Sequence, residues 1–383
     1  MSSAGQAAAV RLRPADPPEI PAALAQALAG GPPCAPLPAD PGQRDQALAM
    51  LRPDEPVVED DAAVVVPTSG STGRPKGVVL SRTAIAASAT ATHDRLGGAG
   101  DWVLVLPAHY VAGMMVWARA LLAGTAVAPA RSDLSDLAAA AGRLGPRRYL
   151  SIVPTQLARG LNDPATTAAL AGLTAVLVGG GALDPELRDR ARRSGVVVVA
   201  TYGMSETCGG CVYDGRPLTG VQVQVDPDER ITIGGPALFS GYRLRPDLTA
   251  GAVAGGRLRT QDRGRWEAER LQVLGRVDDV VISGGLNVDL AEVERRARPW
   301  PPLGGAELVV IGVPDAEWGT KVVVVTDAPT ADVSIEELRR FLADTLPAYA
   351  APRELVRLAA LPRTSSGKID RPALQSRWQE GQS

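Results

Sequence analysis

The chain has 383 residues, 45% apolar and only 4% aromatic, with 40 basic against 42 acidic side chains and a formal net charge of -2. That length predicts two or more domains with cores filled by Ala, Val and Leu, and the balanced charge gives no sign of a polyanion-binding surface, so nucleic acid is not an expected partner. Three cysteines build no disulfide framework, the N-terminus lacks a basic segment followed by an apolar core, and no apolar run reaches the ~20 residues that span a bilayer; a cytoplasmic protein without stable membrane insertion is expected.

Residues 1–55 are rich in Ala and Pro and read as a loosely patterned lead-in, with one helical patch at Ile20–Ala29. From Ala62 onward, short β-branched runs alternate with Ala/Leu-rich helical patterns. Ala62–Val66, Val103–Leu106, Tyr149–Val153, Ala175–Val178 and Val196–Ala200 predict buried strands. Ser81–His93, Val116–Ala123, Pro154–Leu161 and Pro185–Arg193 predict the helices between them. Continuous apolar strands alternating with helices predict an α/β fold with mostly parallel, helix-covered sheets. Gly-rich short strands over Gly220–Arg265 predict a small β subdomain. A boundary is expected near Gly275–Asp279, separating a large domain over 1–277 from a small α+β domain over 278–383. The smaller part should contain a helix at Leu290–Arg298, strands at Glu307–Val313 and Lys321–Thr326, a helix at Ile335–Leu346 and a strand at Glu354–Leu358.

The most informative stretch is Pro67-Thr68-Ser69-Gly70-Ser71-Thr72-Gly73-Arg74-Pro75-Lys76-Gly77. An apolar strand that opens into such a loop offers many backbone N–H groups and hydroxyls, which form a cradle for phosphate oxygens with Lys76 as a nearby point charge. The Walker spacing is absent. Thr201-Tyr202-Gly203-Met204-Ser205-Glu206-Thr207 follows a predicted strand, at the end where α/β folds bind ligands. It supplies a flat ring, a hydroxyl and a carboxylate in turn. Gly179-Gly180-Gly181 follows another strand and permits close backbone approach. Cys208 and Cys211 form a CxxC. With only His93 and His109 in the chain there is no second pair for a zinc site, so reduced packing cysteines are expected.

These strings, in this order, resemble the adenylate-forming superfamily of acyl-CoA synthetases and luciferases. The resemblance spans about Asp60 to Leu374. It implies that Thr68, Ser69, Gly70, Ser71, Thr72, Gly73 and Lys76 hold the phosphates of ATP. Gly180, Gly181, Tyr202 and Gly203 would hold the adenine, Ser205 would lie near the α-phosphate, and Glu206 would be the Mg2+ ligand. Arg259-Thr260-Gln261-Asp262 resembles the family's TGD segment, so Asp262 and Arg276 would contact ribose, with Asp278 as the hinge between domains. Leu361-Pro362-Arg363-Thr364-Ser365-Ser366-Gly367-Lys368 resembles the motif that carries the catalytic lysine, here Lys368. The Ser283–Asn287 segment, through Gly284 and Gly285, would line a tunnel for CoA, the co-substrate.

The phosphate loop begins early in the chain, at residue 67. Together with His109, Tyr110, Gly113, Arg119 and the continuation Gly209-Gly210-Cys211-Val212-Tyr213-Asp214-Gly215, this resembles the compact actinobacterial o-succinylbenzoate–CoA ligases of menaquinone biosynthesis. The resemblance implies a two-step acid–CoA ligase with His109 and Tyr110 as the acyl gate, Gly209 beside the acyl group and Arg119 for a second carboxylate. Tyr110 stands where the family usually has His. Another aryl- or acyl-CoA ligase, or an adenylation enzyme that loads a carrier-protein thiol, would share all motifs but the pocket. A homodimer is compatible with the sequence.

Overall fold

The computed structural model describes residues 10–68, 75–328, 334–364 and 369–380, with side chains to 378. Ser69, Gly70, Ser71, Thr72, Gly73 and Lys368 therefore lie outside the described residues. The chain divides into two compact units. The first takes Met1–Gln224, Thr232–Arg259 and Ala268–Leu271, and the second takes Val225–Ile231, Thr260–Glu267 and Gln272–Ser383.

The first unit holds a seven-stranded sheet ordered Arg216–Pro217, Gly209–Tyr213, Val198–Met204, Ala175–Val178, Arg148–Ile152, Asp101–Leu104, Val127–Pro129. Its last five strands are parallel, as continuous apolar runs require when helices cover both faces. Gly209–Tyr213 turns back antiparallel on Val198–Met204. A second sheet runs Arg13–Ala15, Cys34–Pro36, Ala62–Thr68, Lys76–Ser81, Gly241–Tyr242. The N-terminal residues are thus not a loose lead-in. Two three-residue strands pair parallel into this sheet, and helices Ile20–Leu28 and Pro41–Leu51 follow them. Strands this short, each containing a proline, have no alternation for a sequence pattern to detect.

The helix Arg82–Arg95 begins at Ser81, whose hydroxyl accepts the Ala84 N–H at 3.1 Å. Such a cap stabilises a helix by about 1 kcal/mol. The helix Val111–Ala123 starts five residues before the predicted Val116; Tyr110 precedes it in extended conformation, and its carbonyl accepts the Met114 N–H at 2.9 Å. The strand predicted at Val196–Ala200 is Val198–Met204, so the Tyr202-Gly203 pair lies inside the strand rather than in a loop after it. The β subdomain expected over Gly220–Arg265 corresponds to strands Gln222–Val225, Arg230–Gly234, Val253–Ala254 and Arg257–Glu267.

In the second unit, Leu286–Asp289, Val280–Ser283, Gly319–Thr326 and Leu308–Asp315 form a sheet, with Glu354–Arg357 parallel on Gly319–Thr326. Leu308, Val310, Val322 and Val324 bury one face with helix residues Val293, Leu338 and Leu342. Val309, Ile311, Val313, Val323 and Val325 bury the other with Leu361 and Leu374. Each fully buried Val or Leu contributes roughly 1.5–3 kcal/mol of apolar transfer. No helix among the described residues is long and apolar enough to cross a membrane.

Candidate active site

The strands Ala62–Thr68 and Lys76–Ser81 pair antiparallel, with Thr68 opposite Lys76, so both ends of the predicted phosphate loop are fixed at one point of the sheet. The Thr68 hydroxyl donates to the Lys76 carbonyl at 3.1 Å. Gly77 must be glycine, since a Cβ there would lie 2.9 Å from Val65 and 3.0 Å from both Leu51 and Arg243.

The Lys76 ammonium donates to Glu206 Oε1 at 3.0 Å and to the Tyr242 hydroxyl at 2.8 Å. Tyr242 in turn donates to the same Glu206 oxygen at 2.7 Å. Glu206 is 8% exposed and Tyr242 6% exposed, so this triangle is largely shielded from water. Burial, reinforced by the neighbouring Glu206 carboxylate, pushes the Tyr242 hydroxyl well above the ordinary phenol range. It remains protonated and donating. Tyr242 was missed by sequence reading: a lone tyrosine in a Gly-Tyr pair carries no signal until the fold brings it to residues 36 and 166 positions away.

Glu206 is held in place from its own backbone. Residues Ser205–Thr207 form a single 3-10 turn after the strand, and Phe239 N–H donates to the Glu206 carbonyl at 2.8 Å. The chain reverses through Cys208 (φ 52°) and Gly209 (φ 86°), and the returning strand pairs Gly210 with Gly203. A Cβ on Gly203 would sit 2.0 Å from the Gly209 carbonyl oxygen, so this hairpin admits only glycine at 203. On the neighbouring strand end Gly180 has φ 76°, while Gly181 has only ordinary contacts at 3.8 Å. Tyr202 and Ser205 are half-buried.

The predicted gate residues His109 and Tyr110 have ring centroids 4.0 Å apart. Burial depresses the His109 imidazole to about 4, which keeps it neutral near pH 7. Arg119 is not a helix-surface arginine: it is 3% exposed, with its guanidinium 5.0 Å from the Trp102 ring centroid. Cys34, Cys208 and Cys211 are all free and buried, and no group of three metal-ligating side chains occurs among the described residues.

In the second unit Asp262, Arg276 and Asp278 come together. Arg276 makes a bidentate pair with Asp278 at 2.8 and 2.9 Å and approaches Asp262 at 3.6 Å. Asp262 lies in the middle of the strand Arg257–Glu267, not in a turn. Gly284 and Gly285 form the two-residue turn of the hairpin Val280–Asp289, with φ 58° and 80°, and a Cβ on Gly284 would strike Trp318 at 2.9 Å.

The fold and the carboxylate–lysine centre at a sheet end define a nucleotide-using enzyme of the adenylate-forming class. The chain belongs to the AMP-binding enzyme family, whose pattern it matches over residues 8–255, with the AMP-binding enzyme C-terminal domain over 304–368. It is 44% identical over 368 residues to the probable 2-succinylbenzoate–CoA ligase of Mycobacterium tuberculosis, covering 93% of this chain and 94% of that protein. Among solved structures it resembles the o-succinylbenzoate CoA synthetase of Bacillus subtilis in complex with its acyl-adenylate intermediate. That match has a TM-score of 0.72 and 28% identity, and covers 83% of this chain and 69% of that one. ATP-bound MatB from Rhodopseudomonas palustris matches with TM-score 0.78 and 25% identity over 97% of this chain and 80% of that one.

Glu206 fits the expected Mg2+. That ion is usually held by one or two carboxylates plus substrate phosphates and water, not by an all-protein cage, and a single shielded carboxylate meets that description. Replacing Tyr242 by Phe removes one donor from Glu206 Oε1 and one acceptor from Lys76 without changing the ring. The expected result is a drop in kcat/KM for MgATP of roughly 10- to 100-fold, since a hydrogen bond to a charged group is worth about 1.5–3 kcal/mol. Initial rates of pyrophosphate release against MgATP concentration check this, and an unchanged rate would remove Tyr242 from the site.

Proposed function

We propose that this protein is an ATP-dependent acid–CoA ligase that converts 2-succinylbenzoate to its CoA thioester through an acyl adenylate, in menaquinone biosynthesis. The chemistry rests on the Glu206 carboxylate set against Lys76 beside the ends of the phosphate loop. The choice of acid rests on the near-full-length likeness to the Mycobacterium tuberculosis protein.

In this reading Lys76 and residues 68–73 take the β- and γ-phosphates of ATP, Gly180, Gly181, Tyr202 and Gly203 take the adenine, and Asp262 and Arg276 take the ribose. Lys76 changes partner when phosphate arrives, because the strongest local anion is then the triphosphate rather than Glu206. Glu206 would hold Mg2+, and the ion would supply charge neutralisation at the phosphate oxygens. The substrate carboxylate attacks the α-phosphate in line, and Ser205 and Lys368 stabilise the charge that develops there. His109, Tyr110 and Gly209 flank the acyl group. A neutral His109 offers a polar edge without adding a charge beside the acid. The small C-terminal domain, 278–383, then turns about Asp278. This carries Lys368 away and brings Gly284 and Gly285 to the site, where the CoA thiolate attacks the acyl carbonyl and AMP leaves.

The test is pyrophosphate release with ATP and Mg2+ against a panel of acids led by 2-succinylbenzoate, with and without CoA. CoA-stimulated turnover of 2-succinylbenzoate is expected. Turnover of a different acid only would overturn the substrate. Adenylation that consumes no free CoA would favour a carrier-protein loader.

A further inference from the structure

Four arginines from four separate elements surround one small cavity in the first unit. Arg95 ends the helix Arg82–Arg95, Arg188 lies on the helix Pro185–Arg193, Arg216 on the edge strand Arg216–Pro217, and Arg270 opens the strand Arg270–Arg276. With Tyr213 and Asp214 they line a volume of about 370 Å3. All six residues belong to the first unit. Asp214 is the one carboxylate in that lining, so four guanidinium charges face a single negative charge. The net charge of -2 over the whole chain hides this local excess.

The arginines gather at the hairpin turn between Gly209–Tyr213 and Arg216–Pro217. Asp214 (φ 50°) and Gly215 (φ 76°) both take left-handed backbone, as a tight two-residue hairpin turn requires. Arg95 donates to the Tyr213 carbonyl at 3.0 Å and to the Pro217 carbonyl at 2.8 Å. Arg270 donates to the Asp214 carbonyl at 2.7 Å, and a Cβ on Gly215 would lie 2.9 Å from the Arg270 Cβ, so this approach depends on glycine. Arg188 donates to Asp214 Oδ1 at 2.6 Å, an oxygen that also accepts the Ala200 N–H at 3.1 Å. The Arg216 guanidinium makes no hydrogen bond or ion pair among the described residues. Carbonyls satisfy donors but cancel no charge, and each guanidinium carries five N–H groups, so most donors around the cavity remain available.

Guanidiniums that share one volume repel one another, and an anion held between them reverses that penalty. Their planar forks fit phosphate and carboxylate oxygens in pairs. The excess over Asp214 selects a ligand with several negative charges over a monocarboxylate. The volume of about 370 Å3 lies at the small end of ligand sites. It offers no aromatic face to a base, because Tyr213 is 1% exposed and its hydroxyl is paired with that of Thr92 at 3.1 Å. A nucleobase would gain no stacking there. Compact size, high charge and no stacking platform together describe a phosphate group with a second phosphate attached.

We propose that Arg95, Arg188, Arg216 and Arg270 form an anion site for a pyrophosphate group, separate from the Lys76–Glu206 centre. It lies at the opposite end of the five-residue strand Gly209–Tyr213 from the turn that carries Glu206, roughly 13 Å along the strand at ~3.3 Å per residue. The pyrophosphate group comes either as the free ion or as the head of a diphosphate ester, and the same forks bind both. The site stands on the arginine geometry and does not rest on the ligase reading.

The test is calorimetric titration of the full chain with pyrophosphate, without Mg2+ and at low salt, repeated with Arg216→Gln, Arg270→Gln and Lys76→Gln. Wild type is expected to bind. Arg216→Gln should weaken that binding about 3- to 10-fold, a charge-assisted contact discounted for an exposed side chain. This substitution removes no contact within the protein, so the melting temperature should equal that of wild type and the loss is one of binding. Arg270→Gln should weaken binding at least as much, since its side chain also holds the turn. Lys76→Gln should retain it. Titrating ADP beside pyrophosphate separates the two sources. Tighter ADP binding that Arg216→Gln weakens assigns the site to a diphosphate ester, and tighter pyrophosphate binding assigns it to the free ion. No binding, binding untouched by both arginine substitutions, binding abolished by Lys76→Gln, or equally strong binding of sulfate at matched ionic strength would overturn the site.

Discussion

Replacing Glu206 by Gln is expected to lower kcat/KM for MgATP by on the order of 10²–10³-fold, because the side chain keeps its shape and loses its charge. The amide oxygen of Gln can still accept from Tyr242 and Lys76, so the triangle of contacts at 2.7 to 3.0 Å survives in outline. What disappears is the shielded carboxylate charge at this position, which suits a divalent cation. A purely structural Glu206 would behave differently. Breaking its pair with Lys76 would cost stability, toward 3 kcal/mol or less given that the Lys76 side chain keeps 23% of its exposure, and the Mg2+ dependence of the surviving activity would be normal. Titrating Mg2+ at fixed ATP, alongside a denaturant melt, separates the two: loss of stability with an unchanged Mg2+ midpoint would exclude Glu206 as the metal ligand.

Lys368→Ala is expected to lower adenylate formation by on the order of 10²–10³-fold, the effect of about 2.7–4 kcal/mol for one well-placed donor to developing charge. Thioester formation from supplied acyl adenylate should stay within a few-fold of wild type, because Lys368 has left the site by then in the two-orientation mechanism. Asp278→Pro should show the reverse split. Proline fixes φ near −65° where a hinge must change its dihedrals, and the substitution also removes the bidentate pair with Arg276. Single-turnover measurements of the two half-reactions check both variants. If each substitution lowered both half-reactions equally, one site serving two chemistries through one hinge would not describe this protein.

Much of the site could be read along the chain. Residues 67–77 and 201–207 announce themselves because a phosphate cradle and a ring–hydroxyl–carboxylate set each need contiguous residue types, and contiguity is what a sequence displays. The parallel sheet was legible for a similar reason: strands buried on both faces must be apolar throughout, as Ala175–Val178 is. The N-terminal strands Arg13–Ala15 and Cys34–Pro36 were not, since three residues hold no period.

The amino-acid sequence by itself determined the family, and it carried the expectations of a phosphate loop at 67–77, a metal carboxylate at 206 and a catalytic lysine at 368, because each is a local string under a chemical requirement. Only the tertiary structure decided which groups share a charge. Lys76 meets Glu206 across 130 residues, and Tyr242 enters that pair from a two-residue strand with no pattern of its own. Arg119 lies buried over the Trp102 ring, its Nε without a hydrogen-bond partner among the described residues, because a helix stripe, a strand tryptophan and a helix-end histidine converge there. Burial and pairing are properties of surroundings assembled from distant segments, so no local string could have stated them.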